Sequence, residues 1–232
     1  MALTKVIGAG VGNLTTDLGV GSTNTPTSSS GGNLIAIETT ADEHTNLVFN
    51  TANTAKNGII EGRRTGRGSY ERFAQINLQN DSDNGEIRFY TAASGSDVSE
   101  KMRIDSTGAV TKPLQPAFLV KPASNQTNLT VGAFTTVVFG TEIFDQNSDF
   151  ASNVFTAPVT GRYQFNVEIL LQAVNNAYEY IDVQLITSNR NYINDMTPDH
   201  FMNTDSTLHM GINVLADMDA SDTAYLHFYQ AG

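Results

Sequence analysis

The 232 residues contain no cysteine and no tryptophan, and only 16% of them are charged. The missing cysteines remove disulfides, thiolate metal sites and cysteine nucleophiles together. Stability must come from burial, and for a chain of short strands burial between subunits is the expected source. No stretch approaches the roughly twenty apolar residues of a membrane span, so membrane insertion is not expected. The opening residues, MALTKVIGAGVGNLT, lack a charged region followed by a long apolar run, so no export signal is expected either. Basic residues are scarce in the second half: residues 1–113 carry 10 basic and 12 acidic side chains, and residues 114–232 carry 3 and 12. A half with a net charge of 3 minus 12, or −9, repels nucleic acid and anionic lipid and attracts cations.

Ser, Thr and Asn are abundant instead, and they suit strands and turns better than helix interiors. Residues 1–32 form a Gly/Ser/Thr-rich lead with too little apolar surface for a core, which reads as an arm or linker. Within it Gly8, Gly10 and Gly12 imitate a dinucleotide-binding turn. The third glycine comes one position early, and no amphipathic helix follows before Pro26, so a flexible or partner-ordered arm is the better reading. From Asn33 to Lys112 short apolar runs alternate with polar turns: Leu34–Ile37, Leu47–Phe49, Gly58–Ile60, Ala74–Leu78, Glu86–Tyr90 and Lys101–Ile104. Strands this short bury little as a monomer, whereas three chains around a common axis bury more.

Pro113 and Pro116 bracket a hinge, and candidate strands follow at Ala117–Val120, Thr135–Phe139, Asn153–Ala157, Tyr163–Ala173, Tyr178–Thr187, Leu208–Ala216 and Thr223–Tyr229. The densest pattern lies in Phe144–Leu171. Val154, Thr156, Val159, Tyr163, Phe165, Val167 and Ile169 sit near period 2 there, and Pro158 and Gly161 mark a corner.

Two stretches resemble known families. Asp145, Phe150, Phe155, Thr156, Ala157, Pro158, Gly161, Tyr163 and Phe165 are similar in order and spacing to the globular heads of the family of complement component one, subunit q. Those heads are ten-stranded jelly rolls related to tumour necrosis factor that assemble as trimers; in that family a last strand rich in Phe and Gly follows the one that here leads to Gln230-Ala231-Gly232, so on the resemblance either the head closes differently or the sequence given is cut short. Glu100-Lys101-Met102-Arg103-Ile104-Asp105-Ser106-Thr107-Gly108, preceded by Gly85–Thr91, resembles a run that recurs in the shafts of bacteriophage tail fibres and tailspikes. On that resemblance Ile87, Phe89, Met102 and Ile104 form the trimeric shaft core, Arg103 points outward, and Asp105–Gly108 turns the chain.

The expected fold is therefore all-β: an N-terminal extended arm (1–32), an intertwined trimeric β-shaft (33–112) and a C-terminal antiparallel jelly-roll sandwich (113–232). The function implied is structural and adhesive, without enzymatic activity. A homotrimeric virion fibre would be held to another virion protein through residues 1–32 and would bind a host-surface glycan or protein through its head. Tyr, Asn and Arg make adaptable contacts, which points to Asn175, Asn176, Tyr178, Asn189, Arg190, Tyr192, His200 and Phe201 as receptor-binding loop residues. Asp217, Asp219 and Asp222 space three carboxylates as a calcium loop does, although the same residues suit an acidic turn. His209 and His227 fall on successive strands. The basic tract Gly62–Phe73 reads as surface loops or contacts to an acidic neighbouring subunit rather than a nucleic-acid grip, because Glu61 and Glu71 flank it. The alternatives are a capsid-attached head fibre with a structural role and a polysaccharide-degrading tailspike; about eighty shaft residues are too few for an enzymatic solenoid.

Overall fold

The computed structural model describes residues 57–63, 72–81 and 84–232. The expected arm (1–32), the runs Leu34–Ile37 and Leu47–Phe49, and residues 64–71 of the basic tract lie outside the described residues.

The described chain is all-β and antiparallel apart from one three-residue 3-10 turn. Five strands follow one another as a meander: β1 (Gly58–Arg63), β2 (Arg72–Asp81), β3 (Asn84–Thr91), β4 (Ser99–Ile104) and β5 (Val110–Thr111). Register gives this sheet two unlike faces. Ile60 pairs with Ile76, Ile76 with Phe89, and Phe89 with Met102; alongside, Leu78 pairs with Ile87, Ile87 with Ile104, and Ile104 with Val110. Direct cross-strand partners share a face, so these eight side chains form one apolar surface. It is left open to solvent: Ile60 is 48% and Val110 54% exposed.

The opposite face carries an ion network in which Arg88 contacts Glu86 and Glu100 while Arg103 contacts Glu100 at 2.6 Å. The β4–β5 turn is fixed by Asp105, whose Oδ1 accepts from the Thr107 amide (2.9 Å), the Thr107 hydroxyl (2.6 Å) and the Ala109 amide (3.0 Å). Those three donors hold the Asp105 carboxyl below the usual carboxylate range. Gly108 completes the turn at φ +88, a conformation that a Cβ disfavours.

Residues 112–117 lead into the head. Gln146 Nε2 donates to the carbonyls of Lys112 (2.7 Å) and Gln115 (2.9 Å), which seats the entry segment. The head strands are β6 (Phe118–Lys121), β7 (Thr135–Thr136), β8 (Thr141–Asp145), β9 (Phe150–Ala151), β10 (Val154–Thr156), β11 (Gly161–Val174), β12 (Tyr180–Thr187), β13 (Asn191–Met196), β14 (Ser206–Met218) and β15 (Thr223–Ala231). One sheet runs β13-β12-β15-β10-β9, with β7 also on β15; the other layer is two separate pairs, β11-β14 and β6-β8.

Alternate residues of both layers meet in one core: Phe165 from β11, Met210 and Ile212 from β14, Val183 and Leu185 from β12, and Leu226 and Phe228 from β15. Each large apolar side chain buried there contributes about 1.5–3 kcal/mol relative to exposure. The corner at Ala157–Thr160 carries the chain from one layer to the other. The Ala157 amide donates to the Asp222 carbonyl (2.8 Å), and the Tyr163 hydroxyl donates to the Val159 carbonyl (2.6 Å).

Thr135–Phe139 is strand only at Thr135–Thr136. Asn191–Met196, expected in part as a loop, is strand β13, because Tyr192 and Met196 alternate inward although Asn and Asp disfavour strands.

Candidate functional site

The head has two ends. At the entry end lie the corner 157–160, the β12–β13 turn at 188–190 and the β14–β15 turn at 219–222. Thr156 pairs with Thr223 and its amide donates to the Asp149 carbonyl (2.8 Å), while the Gln146 amide donates to the Ala117 carbonyl (2.9 Å), so the chain enters here. β11 and β14, of 14 and 13 residues, run from this end to the far end, roughly 40 Å away at 3.3 Å per residue. The far end is built by residues 175–179 and 197–205.

The structure divides the expected receptor-binding residues between these ends. Asn175, Asn176, Tyr178, His200 and Phe201 are at the far end. Asn175 Oδ1 accepts from the Ala177 amide (2.9 Å), and Asp205 Oδ1 accepts from the Asn176 amide (3.1 Å), which ties the two far-end loops together. Tyr178 is half-buried against the core. Phe201, which follows the 3-10 turn Pro198–His200, is 73% exposed. Asn189 and Arg190 are at the entry end, where the Asn189 amide group donates to the Asp217 carbonyl (2.9 Å) and Arg190 pairs with the Asp217 carboxylate (2.8 Å). Tyr192 is no loop residue: it lies on β13 opposite Leu185 and packs on the core.

The acidic turn is held by protein donors. Asp217 takes Arg190, Asp222 Oδ2 accepts from the Asp219 amide (2.8 Å), and Asp219 accepts from the Thr160 hydroxyl (3.3 Å). Among the described residues no three acidic or histidine side chains converge as metal ligands. His209 and His227 do not face one another, because β14 and β15 belong to different layers. Asp145 caps its own loop, accepting from the Asp149 (3.1 Å) and Phe150 (2.9 Å) amides. Of the basic tract's described residues, Arg63 pairs with Glu61 (2.5 Å) and Arg72 with Asp97, whose carboxyl the guanidinium holds low.

Sequence reasoning missed an aromatic strip on the outer face of the six-stranded sheet. Tyr229 stacks on Tyr180 (ring centroids 5.6 Å apart), Phe134 covers Tyr229 (4.9 Å) and His227 (5.7 Å), and Tyr225 meets His227 edge-on (4.9 Å). Period 2 in Tyr225-Leu226-His227-Phe228-Tyr229 carries the signal for three of these rings. Asp182 is buried beside them. Its Oδ2 accepts from Gln184 Nε2 (3.1 Å), its Oδ1 has no partner, and Asp195 stands opposite on β13. Burial, with Asp195 adding to it, raises the Asp182 carboxyl above the usual range, and the Gln184 hydrogen bond opposes the shift.

No family model and no curated protein matches the sequence. Among solved structures the chain is similar to the globular domain of zebrafish complement 1qA protein. The match has 18% identity and a TM-score of 0.38, over 49% of this chain and 80% of that one. The likeness assigns neither a family nor an activity.

Proposed function

We propose that this chain is the subunit of a homotrimeric adhesive fibre of a bacteriophage virion, attached through residues 1–32 and meeting a host-surface glycan or protein with the far end of its head. The observation that carries the reading is the meander sheet at 58–111. Eight apolar side chains share one open face, and its last hairpin is the stretch that resembles phage-fibre shafts. An open apolar sheet face is a surface that needs a partner, and identical copies around an axis supply one. The head suits adhesion rather than catalysis, since its far end presents Phe201 to solvent beside the Asp205-braced loop 175–179. A trimer turns weak contacts at three such tips into useful avidity.

The test is competition: purified protein added before phage is expected to block adsorption to host cells, and Phe201→Ala is expected to weaken the block. Protein that is trimeric by sedimentation yet neither binds cells nor blocks adsorption would leave only the structural head-fibre role. Release of reducing sugar from host polysaccharide would move the assignment to a tailspike.

A further inference from the structure

The outer face of the six-stranded sheet holds a carboxylate that the head leaves without a counter-charge. Val183 and Leu185 point into the core, so Asp182 and Gln184, which alternate with them on β12, point outward. Asp182 is nevertheless only 6% exposed, and its Oδ1 accepts no hydrogen bond. A buried acceptor without a donor is costly, and a carboxylate more so than a neutral group. Register places Tyr229 on one side of Asp182 and Asp195 on the other, in one row across the sheet. Tyr180, two residues along β12, stacks on Tyr229, and the two hydroxyls hydrogen-bond each other, so the rings form one fixed wall. Phe134 packs on Tyr229 in turn.

The basic residues of the head are placed elsewhere. Between 114 and 232 they are Lys121 on β6, Arg162 on β11, both in the opposite layer, and Arg190, whose guanidinium pairs with Asp217. His227 shares the outer face, but its ring packs against Phe134 and Tyr225. The face is open to solvent beside the carboxylates, with Phe134 56% and Ile193 55% exposed.

We propose that Asp182, Asp195 and the Tyr180–Tyr229 wall form a binding site for the primary ammonium group of an aliphatic amine. Two neighbouring carboxylates on a face without Lys or Arg call for a cation. The unpartnered Oδ1 calls for one that carries N–H, which a quaternary ammonium lacks. Oδ2 is already taken by Gln184, so the forked, bidentate geometry of a guanidinium finds one free oxygen where it needs two, whereas an ammonium is a point donor. A hard metal ion needs six or more oxygens, and among the described residues no three such ligands converge. The tyrosine rings attract a cation through their faces, and exposed Phe134 and Ile193 suit an apolar stem. Burial raises the Asp182 carboxyl in the protein alone, and an ammonium beside it favours the ionised form, so binding offsets a cost that the fold carries. This site is separate from the far-end loops and does not depend on adhesion there.

The probe is pentylamine, titrated into the full-length protein at pH 7 by calorimetry. The expected result is saturable binding at one site per chain. Pentan-1-ol, neutral and of the same length, and pentyltrimethylammonium, charged but without N–H, are each expected to bind about tenfold or more weakly. Asp182→Asn keeps an acceptor for Gln184 and is expected to lose pentylamine binding by a similar factor while retaining the fold by circular dichroism. Tyr229→Leu is expected to lose about threefold. Asp199→Asn removes an exposed carboxylate elsewhere on the head and is expected to change nothing. Acetyl-lysine-amide carries the same ammonium: tighter binding than pentylamine makes a lysine side chain of another protein the source, weaker binding makes it a free amine, and either supports the site. Equal binding of pentan-1-ol shows an apolar patch only, and equal binding of pentyltrimethylammonium shows that no N–H is read. Undiminished binding by Asp182→Asn places the amine elsewhere. Each of these results, or the absence of saturable pentylamine binding, overturns the proposal.

Discussion

Asp182 shows how one side chain carries a pH-dependent cost. Its carboxyl is buried, accepts one hydrogen bond and faces Asp195, so the folded state favours its protonated form above the ordinary value near 3.8. The stability linked to that proton is fully present below the unfolded pKa and is lost as pH rises through the raised folded pKa. At pH 7 the buried charge is therefore a net cost. Asp182→Asn keeps an acceptor for Gln184 and removes the charge, so it is expected to raise the melting temperature at pH 7 by about 2–4 °C. The gain should disappear below the ordinary value near 3.8; an equal gain at pH 7 and pH 3 would refute the electrostatic account. The acidic turn gives the opposite expectation for metal. Because Asp217, Asp219 and Asp222 already have protein partners, excess calcium or a chelator should leave the melting temperature unchanged. A calcium-dependent rise would show that the turn reorganises around an ion.

At the scale of elements, the β4–β5 hairpin and the apolar sheet face make the sharpest claims. Gly108 sits at φ +88 in a turn whose amides and hydroxyl all point at Asp105. Gly108→Ala is expected to cost about 1 kcal/mol in chemical denaturation, and no loss at all would mean that the turn relaxes freely. Phe89→Lys places a charge in the centre of the apolar face, and sedimentation is expected to show the proposed trimer falling to monomers while circular dichroism keeps its β signature. The elements themselves were largely legible in the sequence. Period-2 runs at Ala74–Leu78, Glu86–Tyr90 and Tyr180–Ile186 became strands because alternation and the pleat share one period. β13 was hidden because Asn191, Asn194 and Asp195 are poor strand formers held by pairing with β12. The candidate site was less legible than the fold. Spacing along the chain does not say at which end a turn lies, so Asn189 and Asn175 look alike in sequence while their turns lie at opposite ends of two long strands.

For the whole molecule, the uneven charge and the proposed trimer meet in one measurable quantity. On the proposed function each head binds weakly through a small tip, so cell attachment would depend on several tips engaging at once. The Phe89→Lys monomer retains every far-end residue, because Phe89 lies in the meander sheet and Phe201 in the head. It is expected to lose about 10²-fold in apparent affinity for host cells, the scale set by lost multivalency and not by damage to a contact. Phe201→Ala acts on the tip itself and should weaken each head even in a trimer. Head charge adds a salt signature, since 12 acidic against 3 basic side chains repel an anionic cell surface. Raising ionic strength from 0.01 to 0.15 M shortens the screening length from about 30 to about 8 Å, so attachment should strengthen over that range. If the monomer binds cells as tightly as the trimer, or if salt weakens attachment of both, then adhesion rests on a single strong site or a basic patch, and the multivalent fibre is the wrong description.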